Sequence, residues 1–99
     1  MTNKWNIPNK LEKEIKRRDK VCIYCRVAFK DNSRDRATWE HIDNNENNIC
    51  RENVTLCCYS CNRSKGNRAL LIWLDSHYCK ERGINKETVA PIVKRYLMR

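Results

Sequence analysis

The sequence predicts a small α+β domain in which a short β-hairpin is flanked by one N-terminal helix and two C-terminal helices. Three observations point there. A chain of 99 residues makes one domain, and a domain of that size withdraws only about two thirds of its chain surface from water, so an internal crosslink is valuable. Apolar residues make up 40% and charged residues 33%, with only two Gly and two Pro, a balance that suits a compact, helix-rich protein better than a disordered one. Apolar spacing is helical at both ends and β-like in the middle, where turn-forming Asn residues cluster.

In order, Pro8 through Arg18 reads as the first helix, with Pro8 suited to its first turn and Leu11 and Ile15 forming a narrow apolar stripe. Glu12 with Lys16 and Glu14 with Arg18 are i,i+4 pairs in the favourable order, each adding about 0.2–0.5 kcal/mol. Lys10, Lys13 and Arg17 make the remaining face basic, as a phosphate-contacting surface or an ordinary solvated one. Val21 to Phe29 is β-rich and holds Cys22-x-x-Cys25, and Lys30 to Arg36 is a polar loop. Ala37 to Ile42 reads as a short strand, Asn44 to Asn48 as a loop tolerant of left-handed conformations, and Val54 to Cys57 as a second strand. That hairpin sets His41 and Asn53 near facing positions.

From about Ser60 the chain is expected to be helical, with Leu70, Leu71, Trp73, Leu74 and Tyr78 along one side and Gly83 as the stop. Thr88 is placed to cap a last helix with Pro91 in its first turn and Ile92, Val93, Tyr96 and Leu97 on its buried face. The domain then spans 1–99, with a core at about 20–70 and flanking helices at about 8–18 and 67–99.

The net charge is +9 and the pI near 9.4, a larger imbalance than solubility requires. A polyanionic partner is expected, nucleic acid first and an anionic membrane surface second, because Lys and Arg displace counterions from phosphates. Nothing resembles a secretory h-region or the roughly 20 apolar residues of a membrane span, so a cytoplasmic location is expected.

Seven cysteines are an odd number, and in a reducing compartment they are not a disulfide framework. Cys22-x-x-Cys25 and Cys58-x-x-Cys61 are two chelating halves whose four thiolates suit a closed, tetrahedral, structural zinc site. Cys57 competes with Cys58 by adjacency, and the two-residue spacing to Cys61 favours Cys58. Cys50 and Cys79 are expected to be free thiols, and His77, a helix away, a surface or packing residue.

Between the two halves lies Glu40-His41, followed by Asn53-x-x-Leu56 and by Cys61-Asn62-x-x-Lys65. This arrangement resembles the HNH endonuclease family, with Glu40-His41 at the first His position, Asn53 at the central Asn and Asn62 at the last, where the family carries His or Asn. The resemblance covers roughly the central third of the chain together with Cys22-x-x-Cys25. It implies a zinc-stapled ββα-metal core and divalent-metal-dependent hydrolysis of DNA phosphodiesters, leaving a 5′-phosphate and a 3′-hydroxyl. It further implies His41 as general base, Glu40 and Asn62 as ligands of Mg²⁺ or Mn²⁺, and Asn53 as the residue that holds the loop or orients His41. Asn44 stands where the family often has Pro, and Asp43 is a further, weaker candidate ligand.

An imidazole with a pKa near 6.5 suits proton abstraction from water at neutral pH, and carboxylate and amide oxygens suit a hard cation. Strand alternation, however, points adjacent residues such as Glu40 and His41 to opposite faces unless the strand ends or bulges there. Arg63, Lys65 and Arg68, beside Asn62 at a helix start, are the candidate phosphate contacts. No target-recognition segment is visible, which suggests weak site specificity or delivery by a protein partner. The alternative function is a non-catalytic zinc module that binds nucleic acid, with a membrane-surface or protein-interaction domain behind it.

Overall fold

A two-stranded antiparallel hairpin, β1 (Ala37–His41) paired with β2 (Val54–Cys58), separates two apolar layers. The computed structural model describes residues 3–99, so the start of the domain at residue 1 lies outside the described residues. The register sets Ala37 opposite Cys58, Glu40 opposite Thr55 and His41 opposite Val54. Side chains alternate across the sheet. Trp39, His41, Val54 and Leu56 therefore face the N-terminal layer of Trp5, Ile7 and Ile15, while Thr38, Glu40 and Cys57 face the layer built on Tyr24 and the C-terminal helices.

Helix α1 (Asn9–Arg18) seats Ile15, fully buried, against β2, a burial that contributes about 1.5–3 kcal/mol. Pro8 precedes the helix as its N-cap rather than opening its first turn, and its carbonyl accepts from Glu12 N at 2.9 Å. Lys16 pairs with Glu12 at 2.9 Å as the spacing predicts. The Glu14–Arg18 pair does not form: Glu14 binds Arg51 at 2.6 Å, and Arg18 pairs with Asp19 and donates to the carbonyls of Arg51 and Val54. The open edge of β2 explains the choice, because its backbone groups lack a strand partner. Asp19 accepts from Leu56 N at 3.1 Å, and Ile23 N donates to Leu56 O at 3.3 Å, so the edge is closed by side chain and loop.

The C-terminal half differs from the expected pair of helices. It runs as α2 (Tyr59–Lys65), α3 (Leu70–Leu74), α4 (His77–Arg82) and α5 (Pro91–Leu97). Gly66 ends α2 with φ +54, a conformation that costs glycine little, and Ser76 starts α4 anew by accepting from Cys79 N at 3.3 Å. The breaks rotate the apolar stripe. Leu70 and Trp73 are buried, but Leu71 is 71% exposed and does not share their face. Thr88 is not the cap of α5. Its Oγ1 accepts from Asn85 N at 2.9 Å and closes the preceding turn, leaving Ala90 as N-cap and Pro91 at the first helical position. Ile92 and Val93 are buried beneath that helix, with Tyr96 and Leu97 partly covered. No helix among the described residues is long and apolar enough to cross a membrane.

Candidate functional site

Sγ atoms of Cys22, Cys25, Cys58 and Cys61 lie within 4.8 Å of one another, and Cys25 and Cys58 are 3.7 Å apart. Thiolates about 2.3 Å from a tetrahedral zinc stand about 3.8 Å from each other, so the four cysteines could hold that ion with little movement. Two local turns build the cluster. Tyr24 N and Cys25 N point at Cys22 Sγ at 3.4 and 3.5 Å, and Cys61 N points at Cys58 Sγ at 3.4 Å as the N-cap of α2. Tyr78 adds its hydroxyl to Cys61 Sγ at 3.4 Å. Such donors stabilise sulfur that carries negative charge. Crowding also splits the thiols: bonds from Cys25, Cys58 and Cys61 drive Cys22 down, while the bond to Cys22 leads in pushing Cys61 up. Four sulfurs this close ionise together only with a cation among them.

Cys57 packs in the same core as the cluster but is not one of the four, with its Sγ 3.8 Å from Thr38 Oγ1, and burial raises its thiol. Cys50 bonds Asn48 Oδ1 at 3.4 Å and Cys79 is enclosed in the core, both outside the four-cysteine group.

His41 ends β1 and is 8% exposed. Its Nε2 is the one buried side-chain nitrogen or oxygen among the described residues without a hydrogen-bond partner. Such a group is uncommon enough to require a reason. Trp5 stands edge-on to the ring at 6.1 Å. Asn53, fully buried, holds the loop after β1: Nδ2 donates to Asn48 O at 2.9 Å, and Oδ1 accepts from Asp43 N at 3.0 Å. Asp43 in turn accepts from Asn45 N and Asn48 Nδ2, both at 2.8 Å. Burial alone would raise its carboxyl, but these bonds, with Asn53, hold it below its ordinary value. Asp43 is a turn-maker here. Asn44 has φ +64, which proline cannot adopt, and this accounts for Asn at that position.

Glu40 faces away from His41, as strand alternation requires. It is 5% exposed, and its Oε2 accepts from Tyr24 Oη at 2.6 Å and pairs with Lys65 Nζ at 3.1 Å. Tyr24 is held protonated by burial and by the Glu40 charge, so it remains a donor. Two expectations are thereby corrected. Glu40 does not fit a ligand of a hydrated hard cation, because an internal ammonium already neutralises it. Lys65, 1% exposed and also bonded to Asn44 Oδ1 at 2.6 Å, is a core cation rather than a phosphate contact.

Asn62 Nδ2 donates to Thr38 Oγ1 at 2.9 Å and to the Trp39 carbonyl at 3.0 Å, fastening α2 to the free edge of β1. Arg63 and Arg68 are exposed; Arg63 donates to Tyr59 Oη at 3.2 Å and Arg68 to Ser64 O at 2.7 Å. His77 lies on the surface and pairs with Glu81 at 3.1 Å. Sequence reasoning missed Tyr24 as the partner of Glu40, Asn44 as the partner of Lys65, and the aromatic rings of Trp5, Trp39 and Tyr59 beside Arg63. The tyrosine inside the first Cys-x-x-Cys was a visible signal, since a knuckle places its middle residues against the hairpin. Comparison with known protein families, with curated proteins and with solved structures finds no match to this chain.

Proposed function

We propose that this protein hydrolyses phosphodiester bonds of DNA as a zinc-stapled HNH endonuclease, with β1, β2 and α2 as its ββα core and His41 as general base. The observation that carries the reading is the unpartnered Nε2 of His41 at the end of a rigid hairpin. Nε2 makes no structural bond, and imidazole suits proton transfer near neutral pH; the atom is closed to solvent with Trp5 packed against the ring, so a water reaches it only when that contact opens. Asn53 contributes by fixing the loop that follows His41. The four-cysteine zinc would hold the start of α2 against the knuckle, and Arg63 and Arg68 supply charge for phosphate.

The Mg²⁺ or Mn²⁺ implied by the resemblance lacks its carboxylate ligand here, because Glu40 is committed to Lys65. No step is assigned to that ion. The same ion pair favours the competing reading, a zinc module that binds nucleic acid without cutting it. Purified protein incubated with supercoiled plasmid, with and without Mg²⁺ or Mn²⁺, separates the two. Cleavage by the parent and its loss in a folded His41→Ala variant are expected. A variant that nicks at the parental rate removes His41 from the mechanism, and a parent that never cuts leaves the binding module.

A further inference from the structure

A groove beside Asn62, of about 590 Å³, is walled by three half-buried aromatic rings, Trp5, Trp39 and Tyr59, and by three cations, Lys4, Arg36 and Arg63. The Arg36 guanidinium lies 4.0 Å over the Tyr59 ring, Arg63 holds the Tyr59 hydroxyl, and the Lys4 ammonium lies 5.4 Å from the Trp5 ring. A second cavity, of about 660 Å³, shares Tyr59 and Arg63 and adds Arg34 and Arg68. No carboxylate lines either one.

We infer that this continuous track binds single-stranded polynucleotide, with an unstacked base against the aromatic rings and the adjoining phosphates on the arginines. Both volumes fall within the roughly 300–1,000 Å³ usual for ligand clefts. Aromatic faces next to cations recognise a base through its π-face, and only an unpaired or splayed base offers that face; duplex stacking hides it. The absence of carboxylates completes the match to a polyanion. Phosphate and stacking contacts of this kind do not read the 2′-hydroxyl, so DNA and RNA single strands share the chemistry. The inference deepens the nucleic-acid half of the proposed function and does not depend on hydrolysis.

The test measures anisotropy of labelled oligo-dT and oligo-rU and of a duplex of equal length, with the parent and with His41→Ala, after a gel shows that the probes are intact. Trp73 is enclosed in the core, so quenching on binding reports Trp5 and Trp39. Both single strands are expected to bind about fivefold or more tighter than the duplex and to quench tryptophan emission. Tyr59→Ala should lose about tenfold on single strands with little change on duplex, the usual size of one lost stack, while Tyr59→Phe stays near the parent. Should Tyr59→Ala disturb α2, Trp5→Ala, which lies outside every helix and strand, is expected to show the same selective loss. Duplex binding as tight as single-strand binding, an unquenched complex, or equal losses on both probes overturns the inference. Plasmid cleavage without single-strand preference removes it and leaves the nuclease; single-strand preference without cleavage does the reverse.

Discussion

Replacing Lys65 by Met tests whether this cation serves the core or the nucleic acid. Its Nζ lies 3.1 Å from Glu40 Oε2 and 2.6 Å from Asn44 Oδ1, with the side chain closed to solvent. Methionine keeps much of the volume and removes the charge, leaving Glu40 with the Tyr24 hydroxyl as its remaining side-chain partner. Breaking a buried pair from one side costs about 3–5 kcal/mol, because the remaining charge is uncompensated. For a domain with about 5–15 kcal/mol in total this is a large share, and the melting temperature should fall on the order of 20 °C. Removing both charges in Glu40→Gln with Lys65→Met should recover about 1–3 kcal/mol of the loss, the coupling expected of contacting residues. The assay is denaturant unfolding of parent, both single variants and the double variant at fixed zinc concentration. DNA affinity of the folded fraction should barely change. A Lys65→Met protein that melts within a few degrees of the parent yet binds DNA many-fold more weakly refutes this account and restores Lys65 to the phosphate surface.

Zinc should copurify at one ion per chain and be lost together with folding in Cys25→Ser or Cys61→Ser, since the four thiolates are gathered only by the fold; folded parent without zinc in elemental analysis would contradict this. DNA affinity should fall linearly on a log–log salt plot, and Arg63→Ala with Arg68→Ala should lower that slope by about 2, whereas a salt-insensitive binding constant speaks against phosphate contact. Trp5→Ala should open His41 to solvent and speed its modification by diethylpyrocarbonate several-fold, with the exposed His77 as internal reference, as peptide mapping by mass spectrometry would show; an unchanged rate means that Trp5 does not shield the ring.

Much of the architecture was legible because it depends on neighbours in the chain. The two-residue spacing of Cys58 to Cys61 brings both sulfurs together across one helical turn, as Cys22 and Cys25 are brought together by theirs, so the four-cysteine group could be named from spacing. The hairpin limits and the first helix were readable for the same reason, as period and turn residues are local. The breaks at Gly66 and Ser76 were missed because the apolar spacing continues across them, and only packing against the knuckle decides which of Leu70, Leu71 and Trp73 is buried.

The partners of Glu40 were decided by tertiary structure alone. In the sequence a Glu-His pair and a Cys-Asn-x-x-Lys run allow a carboxylate to meet a metal or a lysine to meet a phosphate. Folding lays α2 across β1 so that Lys65, 25 positions from Glu40, reaches it inside the core, where an unpaired charge of either sign is costly and the pair is retained. His41, one residue away on the opposite face, finds no such partner and keeps a free nitrogen. Local pattern thus named the candidate residues. Which of them are used up by the fold, and which keep an unpartnered polar atom, was settled by long-range packing, because burial and charge pairing depend on contacts that no sequence window contains.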